Sequence, residues 1–279
     1  MITDAHHHLW NYSPDAYPWI GDGMDVLKNN FLPADLHAVT TPAEVTKTVA
    51  VQARQNLGET RWLLDLAATD PVISGVVGWL PLTHPQKLAA ALAELASNPL
   101  LKGVRHVVQD EPDDAFILGD DFNHGVAQLH GHGLVYDILI YSRHLPNTTT
   151  FIDRHPGQAF VLDHIAKPVI TASGRDDAWF TGIRELAKRP NLTCKLSGVV
   201  TEVRDPGCPP ELVHPYLDAA LDAFGPSRLM LGTDWPVCLL KTTYAEWVDT
   251  VLTLVSTLSP DEQAQILHNT ADQTYRLGI

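Results

Sequence analysis

Residues 2–8 read ITDAHHH. Taken as a strand, this stretch has a side-chain period of two that puts Asp4, His6 and His8 on one face and Ala5 and His7 on the other. The histidines run directly into Leu9 and Trp10 rather than into a flexible linker, as folded protein does and a purification tag does not. Seven more apolar, β-branched runs follow: KTVAVQ (47–52), ISGVVGWL (73–80), LKGVRHVV (101–108), LVYDILI (134–140), AFVLDHI (159–165), LTCKLSGV (192–199) and RLMLGTDW (228–235). Helical stretches lie between them, at 59–69, 85–97, 179–189, 210–224 and 244–257. This alternation predicts a parallel sheet with helices outside it, and eight strands in 279 residues predict an α/β fold, a single (β/α)8 TIM barrel over 1–279. A doubly wound open sheet is the alternative. Against it, no GxGxxG turn follows the first strand and no GxxxxGK[ST] loop occurs.

A content of 45% hydrophobic and 19% charged residues is that of a soluble globular chain. The net charge of −14 speaks against nucleic acid or an anionic membrane as partner, since either favours a basic face. No basic segment followed by an apolar one opens the chain, and no run approaches the roughly 18 apolar residues of a membrane span. A cytoplasmic location is the default expectation. Cys194, Cys208 and Cys238 are odd in number and form no CxxC, so they read as free thiols. The long segment 11–33, with Tyr17 and Trp19, is expected to cover the barrel mouth. Segment 259–279 is expected to be a helical tail, because Ser259 precedes Glu262 at capping-box spacing.

In such a barrel, chemistry sits at the C-terminal ends of strands. Those ends carry His6 and His8, then Arg105 and His106, Asp137, Asp163 and His164, Lys195 and Ser197, and finally Asp234. Ionisable groups in apolar strands are costly unless paired, hydrated or used. A shared polar pocket accounts for all of them. His7 and His106 read as structural histidines, while HxH on one strand aims two imidazoles at one point, as a divalent-metal site requires. Asp234 in GTDWP, taken alone, reads as a turn cap. Arg105 and Lys195 read equally as ions paired with Asp137 or Asp163.

The ordered set DAHHHLW, VLDHIAKP, CKLSGV and GTDWPV, on the first, sixth, seventh and eighth strands, resembles the amidohydrolase superfamily. The resemblance is to its amidohydrolase-related branch of barrel hydrolases, which includes sugar-acid lactonases of the L-fuconolactonase and L-rhamnonolactonase kind. It implies that His6 and His8 match the first-strand HxH, His164 the sixth-strand histidine and Asp234 the eighth-strand aspartate. Metal-dependent relatives add a fifth-strand histidine or a bridging lysine or glutamate, whereas VYDILIY (135–141) offers only Asp137. One divalent, zinc-like ion on His6, His8 and Asp234 would therefore be weakly bound or not required. The implied reaction is hydrolysis of a small-molecule sugar-acid lactone, with Asp234 as base and His6, His8 and His164 around the oxyanion. Arg105, Lys167, Lys195, Trp10 and Trp235 are the expected substrate-binding residues, with Trp19 as a further aromatic wall. A metal-dependent decarboxylase or amide hydrolase, and a non-catalytic sugar-acid-binding protein, are the alternatives.

Overall fold

The computed structural model describes residues 1–205 and 210–278, so Cys208 lies outside the described residues. Eight strands occupy the stretches anticipated above: β1 (Ile2–His7), β2 (Val45–Val51), β3 (Ile73–Gly78), β4 (Leu101–His106), β5 (Val135–Ile138), β6 (Phe160–Leu162), β7 (Leu192–Leu196) and β8 (Leu229–Leu231). They pair in parallel and in chain order. The ring closes just beyond β8, where the Asp234 N–H donates to the His6 carbonyl at 2.8 Å and the His8 N–H to the Trp235 carbonyl at 2.6 Å. This is the (β/α)8 barrel and not the open sheet. Helices α1 (Pro33–Thr40), α2 (Leu57–Thr69), α3 (Pro85–Leu95), α4 (Asp120–Leu129), α5 (Leu145–Arg154), α6 (Asp177–Leu186), α7 (His214–Phe224) and α8 (Tyr244–Val255) follow the strands. Among the described residues, no helix is long and apolar enough to cross a membrane.

Three of these helices go beyond the stretches named from the sequence. Helix α1 lies just past the mouth segment. Helix α5 carries Thr148, Thr149 and Thr150, which form helix poorly, yet Leu145, Phe151 and Ile152 are buried against the barrel and tertiary packing decides. In α4, Gly125 argues locally against a helix, but a Cβ there would lie 2.1 Å from the Leu82 carbonyl oxygen. Only glycine admits that approach.

Strand β1 departs from strict alternation. It advances from Asp4 to His7 while β2 advances from Thr48 to Ala50, a bulge that shifts the side-chain phase. Asp4 therefore does not share a face with His6 and His8, contrary to the simple period. Its carboxylate accepts from the Thr233 N–H and hydroxyl and from the Tyr244 hydroxyl of α8.

The tail begins with the anticipated cap: the Ser259 side chain accepts from the Glu262 N–H, and the Glu262 carboxylate accepts from Ser259. Helices α9 (Pro260–Ala264) and α10 (Thr270–Tyr275) follow, joined by a π turn at Gln265–Asn269. Ala271, Tyr275 and Leu277 pack with Ala5, Val49, Val77, Val135, Val161 and Met230 as one buried cluster that plugs the barrel interior. The Tyr275 hydroxyl donates to Asp137 Oδ2 at 2.7 Å. Tyr275→Phe is expected to cost about 1–3 kcal/mol, since a buried carboxylate loses a donor. Urea unfolding followed by circular dichroism checks this, and an unchanged midpoint would show that the contact carries no stability.

Candidate active site

The strand ends converge on the Asp234 carboxylate. Its Oδ1 lies 3.2 Å from His8 Nε2, 3.6 Å from His6 Nε2 and 3.9 Å from His164 Nε2. All four side chains are buried. Asp234 has a left-handed backbone (φ 57°), which turns the chain back beneath the mouth immediately after β8. His164 begins a run of four non-glycine residues with positive φ, His164 to Lys167. Such backbone costs about 1–2 kcal/mol per residue, and here it makes one left-handed turn that brings both His164 and Lys167 to the cleft. The Trp179 indole anchors this turn by donating to the Ile165 carbonyl at 2.7 Å.

Hydrogen bonds assign roles to the ring nitrogens. His8 Nδ1 lies 2.8 Å from the Val51 carbonyl, which only accepts, so Nδ1 carries a proton, while Nε2 lies 3.2 Å from Asp234 Oδ1. His164 Nδ1 lies 2.9 Å from Ser197 Oγ, whose hydroxyl can donate to it and leave Nε2–H facing Asp234. Burial lowers the pKa of His164 to about 4 and holds His6 well below the usual histidine value. Burial pushes the Asp234 carboxyl up, but the neighbouring imidazoles, His164 first, outweigh it and keep the group below the ordinary carboxylate range.

Beneath this cluster lies a buried charge quartet. Lys195 Nζ is 2.5 Å from Asp137 Oδ2 and 3.0 Å from Asp163 Oδ1, and Arg105 Nη1 is 3.0 Å from Asp163 Oδ2. Both pairings that the sequence left open are present. Lys195 is fully buried and absent from the cleft wall, and its contacts are to Asp137, Asp163 and His6. Asp137 is taken up by Lys195 and Tyr275, so it does not replace the missing fifth-strand ligand. His7 is bonded to Thr48, and His106 to Glu111 with its ring stacked on Phe116; both stand apart from the cluster.

A cleft of about 700 Å³ opens over His8, His164, Asp234 and Arg105. Trp19, 37% exposed, and Met24 of the mouth segment form part of its wall. Trp10 and Trp235 do not line it, contrary to expectation. Trp10 packs with Tyr17, Ile20 and Leu27, and its indole donates to the Asn29 carbonyl; Trp235 meets the edge of Phe31. Indole area is worth more buried in a core than on a wet wall. Lys167 does line the cleft, with Nζ 4.0 Å from Glu202 and 5.6 Å from the centre of the Tyr141 ring. Arg54, Gln109 and Glu202 also line it and escaped the sequence reading because they lie in loops beyond the strand ends. Tyr141, next to the fifth run, was within reach of a strand-end reading.

His6, His164 and Asp234 offer ligand atoms that all lie within 4.8 Å of one another, a spacing compatible with one divalent ion. An HxH pair on the first strand, a histidine after the sixth and an aspartate after the eighth, inside a parallel barrel, define a hydrolase of the amidohydrolase type. The family model described as Amidohydrolase matches residues 3–277, and the chain belongs to that family. It is 44% identical to an L-fucono-1,5-lactonase of Burkholderia multivorans, covering 99% of this chain and 96% of that protein. It is 38% identical to an L-fucono-1,5-lactonase of Burkholderia ambifaria, covering 98% and 95%. A crystal structure of a Burkholderia multivorans amidohydrolase with bound zinc superimposes with a TM-score of 0.94 at 42% identity, covering 99% of both chains.

Gly198, at φ 62°, lets the backbone after β7 pass close to the cluster: a Cβ there would stand 2.4 Å from His164 Nδ1 and 2.8 Å from Asp234 Oδ2. Gly198→Ala is expected to displace both side chains and to destabilise by about 1–3 kcal/mol. A crystal structure and a urea melt of the variant check this; unmoved rings and an unchanged midpoint would refute it.

Proposed function

We propose that this protein hydrolyses a sugar-acid lactone, an aldonolactone such as L-fucono- or L-rhamnono-lactone, to the aldonic acid. The observation that carries the reading is the Asp234 carboxylate set among three imidazoles at the floor of the cleft. The two relatives named L-fucono-1,5-lactonase support the L-fucono compound as the first substrate to try. Trp19 suits a sugar ring face, while Lys167 and Arg105 suit ring and carbonyl oxygens.

The chemistry follows from which atoms hold protons. The Asp234 carboxylate accepts from one water molecule and removes a proton as the water oxygen bonds to the lactone carbonyl carbon. The carbonyl π pair moves onto oxygen, and His164 Nε2–H, held in that tautomer by Ser197, donates to it. His8 is held instead between the Val51 carbonyl at Nδ1 and Asp234 Oδ1 at Nε2. The intermediate collapses, the ring C–O bond breaks, and the proton on Asp234 passes to the leaving ring oxygen. A zinc-like ion on His6, His8 and Asp234, with His164 beside them, would add carbonyl polarisation when bound. It is weakly held or not required in this reading.

Asp234→Asn is expected to lower kcat by about 10²–10⁴ while leaving lactone affinity nearly unchanged. A pH-indicator assay on a panel of aldonolactones, with binding measured by calorimetry, checks this. Chelator is expected to leave the wild-type rate unchanged. Absence of acid release from every lactone would sink the reading, and loss of the rate on chelation would favour a metal-dependent hydrolase or decarboxylase.

A further inference from the structure

Lys167 and Glu202 face each other in the wall of the cleft, and both are placed by the backbone that builds the Asp234 cluster. Lys167 closes the left-handed turn that begins at His164, and its N–H donates to the His164 carbonyl at 2.9 Å. Glu202 ends the short helical turn Val199–Glu202, which starts directly after Gly198, the residue whose backbone passes His164 and Asp234. Little chain therefore separates either group from the reacting atoms. Lys167 Nζ lies 4.0 Å from Glu202 Oε1. That is an ion pair without a hydrogen bond, since N–H···O bonds run only to about 3.2 Å. The two side chains are 16% and 10% exposed, so salt screens the pair little. Nζ also stands 5.6 Å from the centre of the Tyr141 ring, a cation–π contact that holds it at the wall. The other Glu202 oxygen accepts from the exposed Arg204 at 3.5 Å, the outer limit of a hydrogen bond.

An ammonium and a carboxylate at this separation leave a gap that one hydroxyl fills. A hydroxyl oxygen about 2.8 Å from each accepts from Lys167 with a lone pair and donates its O–H to Glu202. A carboxylate has no proton to give Glu202 and is repelled by it, so the same gap rejects an anion. Among the described residues, the other cations lining the cleft are engaged elsewhere: Arg105 on Asp163 at 3.0 Å, and Arg54 over the Tyr17 ring at 5.4 Å. We propose that Lys167 and Glu202 together determine specificity: one sugar hydroxyl of the lactone bridges the two groups, and lactones bearing a free carboxylate are turned away. Glu202 cancels the Lys167 charge, which would otherwise attract such a carboxylate. The pair holds the sugar and not the reacting carbonyl, so it acts through binding. This rests on the lactonase reading and deepens it by naming what selects a neutral polyhydroxy lactone.

Steady-state kinetics on the full-length protein compare L-fucono-lactone with galactarolactone, which carries a carboxylate where the fucono compound has its methyl group. Wild type is expected to prefer the neutral lactone by about 10²-fold or more in kcat/KM. Lys167→Met and Glu202→Gln are each expected to raise the KM for the neutral lactone about tenfold and to move kcat by less than about threefold, the pattern of lost binding. Because one hydroxyl bridges both groups, the double variant is expected to match the weaker-binding single variant and not the product of the two effects. Glu202→Gln alone is expected to improve the relative use of galactarolactone about tenfold, and adding Lys167→Met to remove that gain. A single variant that is folded by circular dichroism and has an unchanged KM overturns the proposal. So does a KM effect that multiplies in the double variant, or an unchanged preference in Glu202→Gln, which is what a merely structural role would give. Should wild type open no lactone, the lactonase reading fails, and calorimetric binding of the unopened lactones to the same proteins decides the pairing: weaker binding of the neutral lactone to both single variants upholds it, and equal binding or none overturns it.

Discussion

The quartet of Lys195, Asp137, Asp163 and Arg105 is the constraint on which the site depends. Four ionised groups inside a barrel would each be costly alone, and removing one partner from such a set typically costs about 3–5 kcal/mol. Together they compensate one another and span β4 to β7, so the strands that carry them share one electrostatic floor. Burial and charge act oppositely on the two carboxyls. Burial raises Asp137 to about 6 despite Lys195, whereas at Asp163 the Lys195 ammonium, His6 and Arg105 outweigh burial and hold the group well below its usual value. Asp163 is thereby an anion that fixes Arg105 at the edge of the cleft. His6 rests on this floor, which determines what its nitrogens meet.

Above the floor, backbone conformation does the positioning. Asp234, the turn from His164 to Lys167, and Gly198 all have positive φ, and all are within or beside the cluster. Strain of this kind persists only where the surroundings over-determine it. Ring closure through the Asp234 N–H, the Trp179 anchor and the close passage at Gly198 supply that determination. The result is a carboxylate that three imidazoles approach, two from the end of β1 and one from the turn after β6.

The mouth and the plug divide the remaining labour. The segment after β1 buries Trp10 and Tyr17 in its own small core and exposes Trp19 to the cleft. At the other end, α10 and the residues after it insert Tyr275 and Leu277, and Tyr275 tethers Asp137. Binding surface and stability are thus set at opposite ends of the barrel, the usual division for this fold.

All eight strands were legible because β-branched runs with turns between them are a local signal, and the site histidines and Asp234 were legible because they fall at the ends of those runs. The phase of Asp4 was not, since a bulge depends on how β1 registers against β2. Helices α4 and α5 were obscured because glycine and threonine weaken local preference, while packing against distant residues decides the outcome. Nor could the sequence say that Trp10 would be buried and Trp19 exposed, or that Lys195 would hold His6 from below. Lys195 and Asp137 are 58 positions apart and His8 and Asp234 are 226 apart, so their meeting exists only once the ring closes. By itself the sequence determined the barrel and the residue types offered at its mouth, because periodicity and turn chemistry act over a few residues. Tertiary structure alone decided which charges pair, which lone pairs remain free and which aromatic faces the cleft, because those depend on distances that closure creates.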